Sequence, residues 1–281
     1  MKTLTIDEAI DLVPAIGAKE PAKNVSDSYQ FVSTSRIIER IQEYGWRITN
    51  ATSQGRTLYA QHRVTLVHEK DLDADVNNLE GIPRIEMFNS HNLTKRLCFA
   101  VGYLRFVCSN GLVIASGPAE TIRTKHRFSD DRLSDIMERV SEISERFPVI
   151  QNKIGMFQQR TLNEQEQVDY AEFALRGRYL YRKELPKRFQ DVNKMTDLLL
   201  QSRRPEDEGN TTWQVYNRIQ ENLVKGIEGL SLPVRGYGDS VRVNQLLWKG
   251  AEYTLGFNGK QFQQNLKELL VKDGKKGKIS A

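Results

Sequence analysis

The chain has 281 residues, with 41 Lys and Arg against 36 Asp and Glu and a net charge of +5. That length suffices for one large domain or two modest ones without covalent staples, and 39% hydrophobic residues support a folded globule. No apolar run nears the roughly 18 residues of a membrane span, and two cysteines, Cys98 and Cys108, make neither a disulfide framework nor a four-thiolate zinc site.

The opening MKTLTIDEAIDLVPAIG carries acids inside its apolar stretch, which argues against a signal peptide. Thr5 to Glu8 reads instead as a capping box that opens a short helix. Residues 17–33 are polar and read as an arm laid over the surface. Ser35 is expected to cap an amphipathic helix whose inner stripe is Ile37, Ile38, Ile41 and Tyr44, with Gly45 as its stop.

The period then changes to two. Leu58, Ala60, His62, Val64, Leu66 and His68 alternate with Tyr59, Gln61, Arg63, Thr65 and Val67, which predicts a strand with one apolar face. Trp46–Ala51 supplies its hairpin partner, with 52–55 as the turn. Residues 71–78 form an acidic loop. Further strands are expected over 82–89, 96–108 and 112–115, the last two joined at Asn110-Gly111, a strong hairpin signal.

From Ser129 onward helices dominate. Leu133, Ile136, Met137, Val140, Ile143 and Phe147 form one stripe, and Asp130 and Asp131 suit the first turn of that helix. Thr161–Glu164 and Thr211–Gln214 read as capping boxes. A helix over 241–255 turns Val243, Leu247, Trp248 and Ala251 inward, and all three tryptophans are expected in the core. Residues 203–210 (RRPEDEGN) read as a linker, and 272–281 as a basic tail.

The expected fold class is α+β: a helix followed by an antiparallel β-meander packed on helices, with a helical C-terminal part. Its segments are an N-terminal arm over 1–33 and an α+β core over 34–202. A helical segment over 211–258 packs on that core, and 259–281 hold a C-terminal helix and basic tail.

Tests for chemistry return little. His62 and His68 would share a strand face about 20 Å apart, and Asn89-Ser90-His91-Asn92 reads as a turn bonding its own backbone. Neither supplies the ligand set of a structural metal site. Cys108 before Asn110-Gly111 lacks a nucleophile elbow, and no Walker or dinucleotide fingerprint is present. The reading is therefore not an enzyme, with no metal and no cofactor.

The basic clusters carry the functional signal. Arg123, Lys125 and Arg127 would line one face of an extended segment. Arg176, Arg178, Tyr179, Tyr181 and Lys183 interleave cations with rings. Cations that track phosphates beside rings that stack on bases are the composition of a single-strand binding groove. The alternative is that the cations extend over a solvated helix face while the tyrosines join the core.

The stretch NSHNLTKRLCFAVGYLRFVCSNGLV (89–113), followed by RTKH (123–126), resembles the phage- and plasmid-associated family called domain of unknown function 932. YQFVSTSRIIERIQEYGW (29–46), AQHRVTLV (60–67), NTTWQVYNRIQENLVKG (210–226) and VRVNQLLWKGAEY (241–253) are similar to that family too, so the resemblance covers about 25–255. After His91 the chain reads NLTK, where the family pattern implies an acid and a glycine. In element order, a helix, Gly45-Trp46, a meander and a helix resemble the core of single-strand annealing recombinases, whose rings hold single-stranded DNA in a basic groove.

Together these imply a mobile-element protein of the bacterial cytoplasm that binds single-stranded DNA without chemistry and anneals strands in recombination. It would assemble as a homo-oligomer, a ring in the annealing likeness, with no membrane partner. The alternative is a protein-binding inhibitor of a host defence or repair complex, acting through the acidic loop and the N-terminal arm.

Overall fold

The computed structural model describes residues 1–25, 29, 31–73, 81–95, 97–105, 122–123, 134, 138, 141, 145, 147–179, 191–227, 233–234 and 237–277. The chain divides into two compact units, Met1–Phe147 and Pro148–Ala281. This division falls inside the 34–202 segment expected as one core. The physical reason is that the strands pack with the N-terminal helices, while the later helices pack with each other.

In the first unit, Thr5 and Glu8 form the expected capping box on helix α1 (Ile6–Leu12), with Thr5 N–H donating to the Glu8 carboxylate at 2.7 Å. A single 3-10 turn follows over Pro14–Gly17. Ala9, Val13, Ala15 and Ile16 are buried ahead of the expected surface arm, and within 17–33 Ala18, Ala22 and Val32 are buried while Lys19, Glu20, Lys23 and Asn24 are exposed. Small apolar side chains let this segment lie close against its neighbours.

Helix α2 (Thr34–Glu43) is capped by Ser33 rather than Ser35, because Ser33 is the last extended residue and its hydroxyl accepts from Arg36 N–H. Ile37, Ile38 and Ile41 point into the core as the stripe predicts, whereas Tyr44 lies beyond the last turn and is exposed. Gly45 ends the helix at φ +82°, a conformation that favours glycine. A Cβ there would also lie 2.9 Å from His68 Nε2.

The strands are β1 (Trp46–Ser53), β2 (His62–His68), β3 (Gly81–Asn89), β4 (Cys98–Arg105) and the two-residue β5 (Ile122–Arg123). They form one antiparallel sheet in chain order, the expected meander. Strand β2 starts at His62 and not Leu58, because 54–60 form turns with Leu58 exposed. A register shift between Ile48 and Asn50 marks a bulge in β1.

The sheet has more than one buried face. All nine residues of β3 are buried, as are Thr65 and Val67 of β2, so the single apolar face read from alternation does not hold. The polar members of the second face pair with each other. Glu86 accepts from Thr65 Oγ1 at 3.1 Å and pairs with Arg84 at 2.8 Å and Arg63 at 3.5 Å. A buried carboxylate needs such partners to stay in the sheet. The expected strand over 112–115, its Asn110-Gly111 turn and most of the 133–147 stripe lie outside the described residues.

The second unit is helical: α3 (Phe147–Gln159), α4 (Glu164–Arg178), α5 (Val192–Leu200), α6 (Thr212–Lys225), α7 (Tyr237–Gly256) and α8 (Gly259–Gly277). The α4 capping box is Asn163 with Glu166, not Thr161 with Glu164. Thr161 is instead drawn into a β-bridge with Thr211. Thr211 and Gln214 cap α6 as expected.

Helix α6 is buried almost all round and carries Trp213 and Tyr216, stacked with ring centroids 5.6 Å apart. Trp248 meets Tyr216 and Phe157 edge-on, and all three tryptophans are buried. Gly250 lets α7 approach α4 closely, for a Cβ there would meet Tyr170 at 2.7 Å and Phe173 at 2.8 Å. Residues 203–210 are a packed turn rather than a linker. Asp207 is buried, and Arg203 and Arg204 bond to α6. Among the described residues no helix is long and apolar enough to cross a membrane.

Candidate nucleic-acid interface

Helix C-termini leave carbonyls without intrahelical partners and carry partial negative charge. In the second unit the ends of α4 and α6 are served by arginines. Arg178, the last residue of α4, donates from Nη1 to Leu223 O at 2.7 Å. Arg242 of α7 returns the favour to α4, donating to Gly177 O at 2.8 Å and Arg178 O at 3.1 Å. Arg203 donates to Gly226 O and to Asn222 Oδ1, both at 2.6 Å.

Two acids sit among these cations. Glu221 accepts from Arg204 at 2.9 Å and from Lys225 at 2.6 Å. Burial works to raise its pKa, and the hydrogen bonds from Arg204 and Lys225 outweigh it, holding the carboxyl below the usual carboxylate range. Glu172 pairs with Arg176 one turn along α4 at 2.6 Å. Among the described residues, Arg176, Arg178, Arg203, Arg204, Lys225 and Arg242 gather around these two helix ends, with Glu172 and Glu221 paired to three of them and Glu206, Asp207 and Glu208 in the turn that follows Arg204.

The chemistry matters here. A guanidinium bonded to a carbonyl is held in place and keeps its formal charge, offset only in part by the partial negative charge of the helix end. Tyr179 follows α4 directly, and the Arg178 guanidinium carbon lies 5.4 Å from its ring centroid, within cation–π range. Tyr179 is half-buried and Arg176 exposed, so ring and charge both reach the surface.

Of the residues picked from sequence, Arg176, Arg178 and Tyr179 are brought together at the end of α4. Arg123 lies in β5 of the other unit, with its backbone paired opposite Cys98. Lys125, Arg127, Tyr181 and Lys183 lie outside the described residues, as do 74–80 of the acidic loop. Arg203, Arg204, Lys225 and Arg242 were missed. Lys225 bears a readable signal, a cation in the last turn of a helix, whereas Arg203 and Arg204 were hidden by their linker-like composition.

A polar cleft of about 490 Å³ is lined by Arg160, Asn163, Glu166, Thr254 and Asn258, among others. Its charges are turned on each other, since Arg160 bonds Glu166 at 2.7 Å and Thr254 O at 3.1 Å. Burial acts to raise the Glu166 pKa, and the Asn163 and Gly259 amides with Arg160 prevail and lower it.

The first unit holds a third constellation, around the turn 89–91. His62 and His91 rings lie 5.2 Å apart, both fully buried. Thr34 Oγ1 stands 2.9 Å from His62 Nε2 and 3.4 Å from His91 Nε2, and it accepts from Asn89 Nδ2 at 2.9 Å. Ser90 bonds locally to Lys95, as the turn reading expects, but Asn89 and His91 reach across the fold. Among the described residues no three His, Cys, Asp or Glu side chains gather as a metal site.

Comparison with known proteins adds lineage. The profile of the family described as Domain of unknown function (DUF932) matches residues 21–248. The chain is 28% identical over 271 residues to UPF0380 protein YafZ of Escherichia coli strain K12, covering 90% of this chain and 92% of that protein. UPF0380 protein YfjQ of the same strain is similar to the same extent, 28% over 271 residues. No solved structure matches. The chain belongs to the DUF932 family.

Proposed function

We propose that this member of the DUF932 family binds single-stranded nucleic acid without chemistry, and that it anneals DNA strands for a phage or plasmid in the cytoplasm of a bacterial host. The observation that carries the reading is the gathering of Arg176, Arg178, Arg203, Arg204, Lys225 and Arg242 at the ends of α4 and α6, with Tyr179 beside them. Cations meet phosphates, and the tyrosine face accepts a base by stacking, which every base permits and which therefore carries little sequence preference.

A ring serves this function better than a double-stranded groove contact would. No helix need enter a major groove, because the bases of a single strand are already open to stacking. Assembly of several copies would multiply one modest cluster into a continuous track, by the arithmetic of linked sites.

The experiment is a mobility shift with oligo-dT and with duplex DNA of the same length at about 50 mM salt, where phosphate contacts are little screened. The reading expects oligo-dT to shift and to displace duplex. No shift of oligo-dT, or preference for duplex, contradicts it.

A further inference from the structure

In an antiparallel sheet that runs in chain order, the β1–β2 and β3–β4 connections stand at the same end. Backbone and side-chain bonds tie the two loops together. His91 N–H donates to Tyr59 O at 3.2 Å, and Gln61 Nε2 donates to Thr94 O at 3.2 Å. The N-terminal segment joins them, with Ala22 N–H donating to His91 O at 2.9 Å. Within the second loop Ser90 Oγ donates to Lys95 O at 2.9 Å and accepts from Lys95 N–H at 2.7 Å. Thr94 N–H donates to Asn92 Oδ1 at 3.2 Å.

Two leucines stand out of this bonded end. Leu58 and Leu93 are each 50% exposed. Leu93 has φ +65°, the one left-handed residue other than glycine among the described residues. Neither its backbone nor its hydration favours a leucine there. The loop bonds hold it in place all the same, as strain is held at working sites.

The same end is basic. Segments 18–25, 54–61 and 91–95 carry Lys19, Lys23, Arg56 and Lys95 against Glu20 alone. Lys19, Lys23 and Arg56 are exposed, and Lys95 lies 5.8 Å from the ring centroid of Phe88.

We propose that this end of the first unit docks on an anionic lipid bilayer. Leu58 and Leu93 enter the acyl boundary while Lys19, Lys23, Arg56 and Lys95 meet the headgroups. Charge complementarity requires an anionic partner, and the leucines choose among such partners. Leucine has no ring to stack on a base. Two half-exposed leucines offer on the order of 100 Å² of apolar surface, against roughly 800 Å² per partner in a stable protein interface. A fluid bilayer accepts loop tips without a matching pocket, and no spanning segment is needed. The proposal departs from the expectation of no membrane partner, and it uses none of the residues of the nucleic-acid interface.

Transfer of a half-exposed leucine out of water is worth about four- to tenfold in partitioning. Each cation near an anionic surface adds about fivefold. The contact is therefore reversible and depends steeply on lipid charge and salt.

The test is cosedimentation of the nuclease-treated full chain with vesicles at about 1 mM lipid and about 100 mM salt. One set is phosphatidylcholine alone, and the other carries about one third phosphatidylglycerol. The chain should sediment with the anionic vesicles and not with the neutral ones. Leu93→Asn and Leu58→Asn should each weaken partitioning about four- to tenfold, and Arg56→Gln about fivefold. Leu93→Asn relieves the backbone, so a binding loss without a lowered thermal midpoint is not misfolding; Leu58→Asn tests the other loop. No sedimentation with anionic vesicles, equal partitioning onto neutral ones, or unchanged partitioning in both leucine variants overturns the proposal. Weakened oligo-dT binding in Arg56→Gln, with no vesicle binding by the unmodified chain, would assign this end to nucleic acid and likewise overturn it.

Discussion

Arg178 Nη1 donates to the carbonyl of Leu223 across 45 residues of sequence, at 2.7 Å, and so ties the end of α4 to the end of α6. The same side chain leans on Tyr179. A residue chosen from sequence for its charge is therefore also a structural cap, and the two roles can be separated.

Arg178→Lys keeps the charge and loses the planar fork. We expect it to lower stability by about 0.5–1.5 kcal/mol, the worth of one hydrogen bond, while the salt dependence of oligo-dT binding is retained. Arg176→Gln should do the reverse. Its pair with Glu172 is exposed and worth about 0–1 kcal/mol, yet removing one phosphate contact should flatten the log–log salt slope by about 0.7. Chemical denaturation and anisotropy on both variants check this; a flattened slope in Arg178→Lys would merge the two roles.

Gly250→Ala should destabilise the helical unit by about 1–3 kcal/mol, because the added methyl meets two aromatic rings that are themselves packed. Tryptophan fluorescence during urea unfolding reads it through the buried Trp213 and Trp248. An unchanged midpoint would mean that α7 and α4 do not approach so closely.

Leu93 sits at φ +65° and is half exposed, a left-handed conformation that a leucine adopts at a cost of about 1–2 kcal/mol. It falls in the segment after His91, where the family pattern implies a glycine. Leu93→Asn should raise the thermal midpoint, since asparagine tolerates this region and the leucine it replaces is half exposed. A lowered midpoint would show that the leucine side chain is needed where it stands.

Glu221 gives a pH prediction. Its folded pKa lies below the unfolded value near 4.5, so the unfolded chain takes up the proton first. The stabilisation is present above about pH 4.5 and is lost as pH falls toward the folded value. Glu221→Gln should cost about 1.5–3 kcal/mol at neutral pH, the worth of hydrogen bonds to a charged group. It should also flatten stability between about pH 5 and pH 3. Denaturation midpoints across that range measure it, and an equal acid loss in the variant would assign the loss elsewhere.

The sequence was most legible where the governing physics is local. The Thr5 and Thr211 capping boxes, the Ile37/Ile38/Ile41 stripe and the stop at Gly45 all depend on residues within a few positions of each other. Ser33 and Asn163 show the limit, since two neighbouring polar residues offer the same cap and only the chain's entry angle chooses between them. Asp207 and Arg204 looked like linker because composition reports polarity and not partners.

Long-range satisfaction was out of reach altogether. Arg242 caps a helix that ends 64 residues earlier, and His91 reaches a carbonyl 76 residues away. Nothing in the local pattern of either distinguishes it from a surface cation or a turn histidine. Likewise alternation in β2 revealed one buried face, while on the second Glu86 is paired by Arg63 and Thr65 from β2 and by Arg84 two positions back along β3.

The central claim is that the ordered cations at the ends of α4 and α6 hold a phosphate backbone. Anisotropy of labelled oligo-dT across a salt series from about 50 to about 300 mM tests it most directly. Engagement of three or more phosphates predicts a log–log slope of about −2 or steeper, at about −0.7 for each. Binding absent at about 50 mM salt, or a slope indistinguishable from zero, would contradict the account.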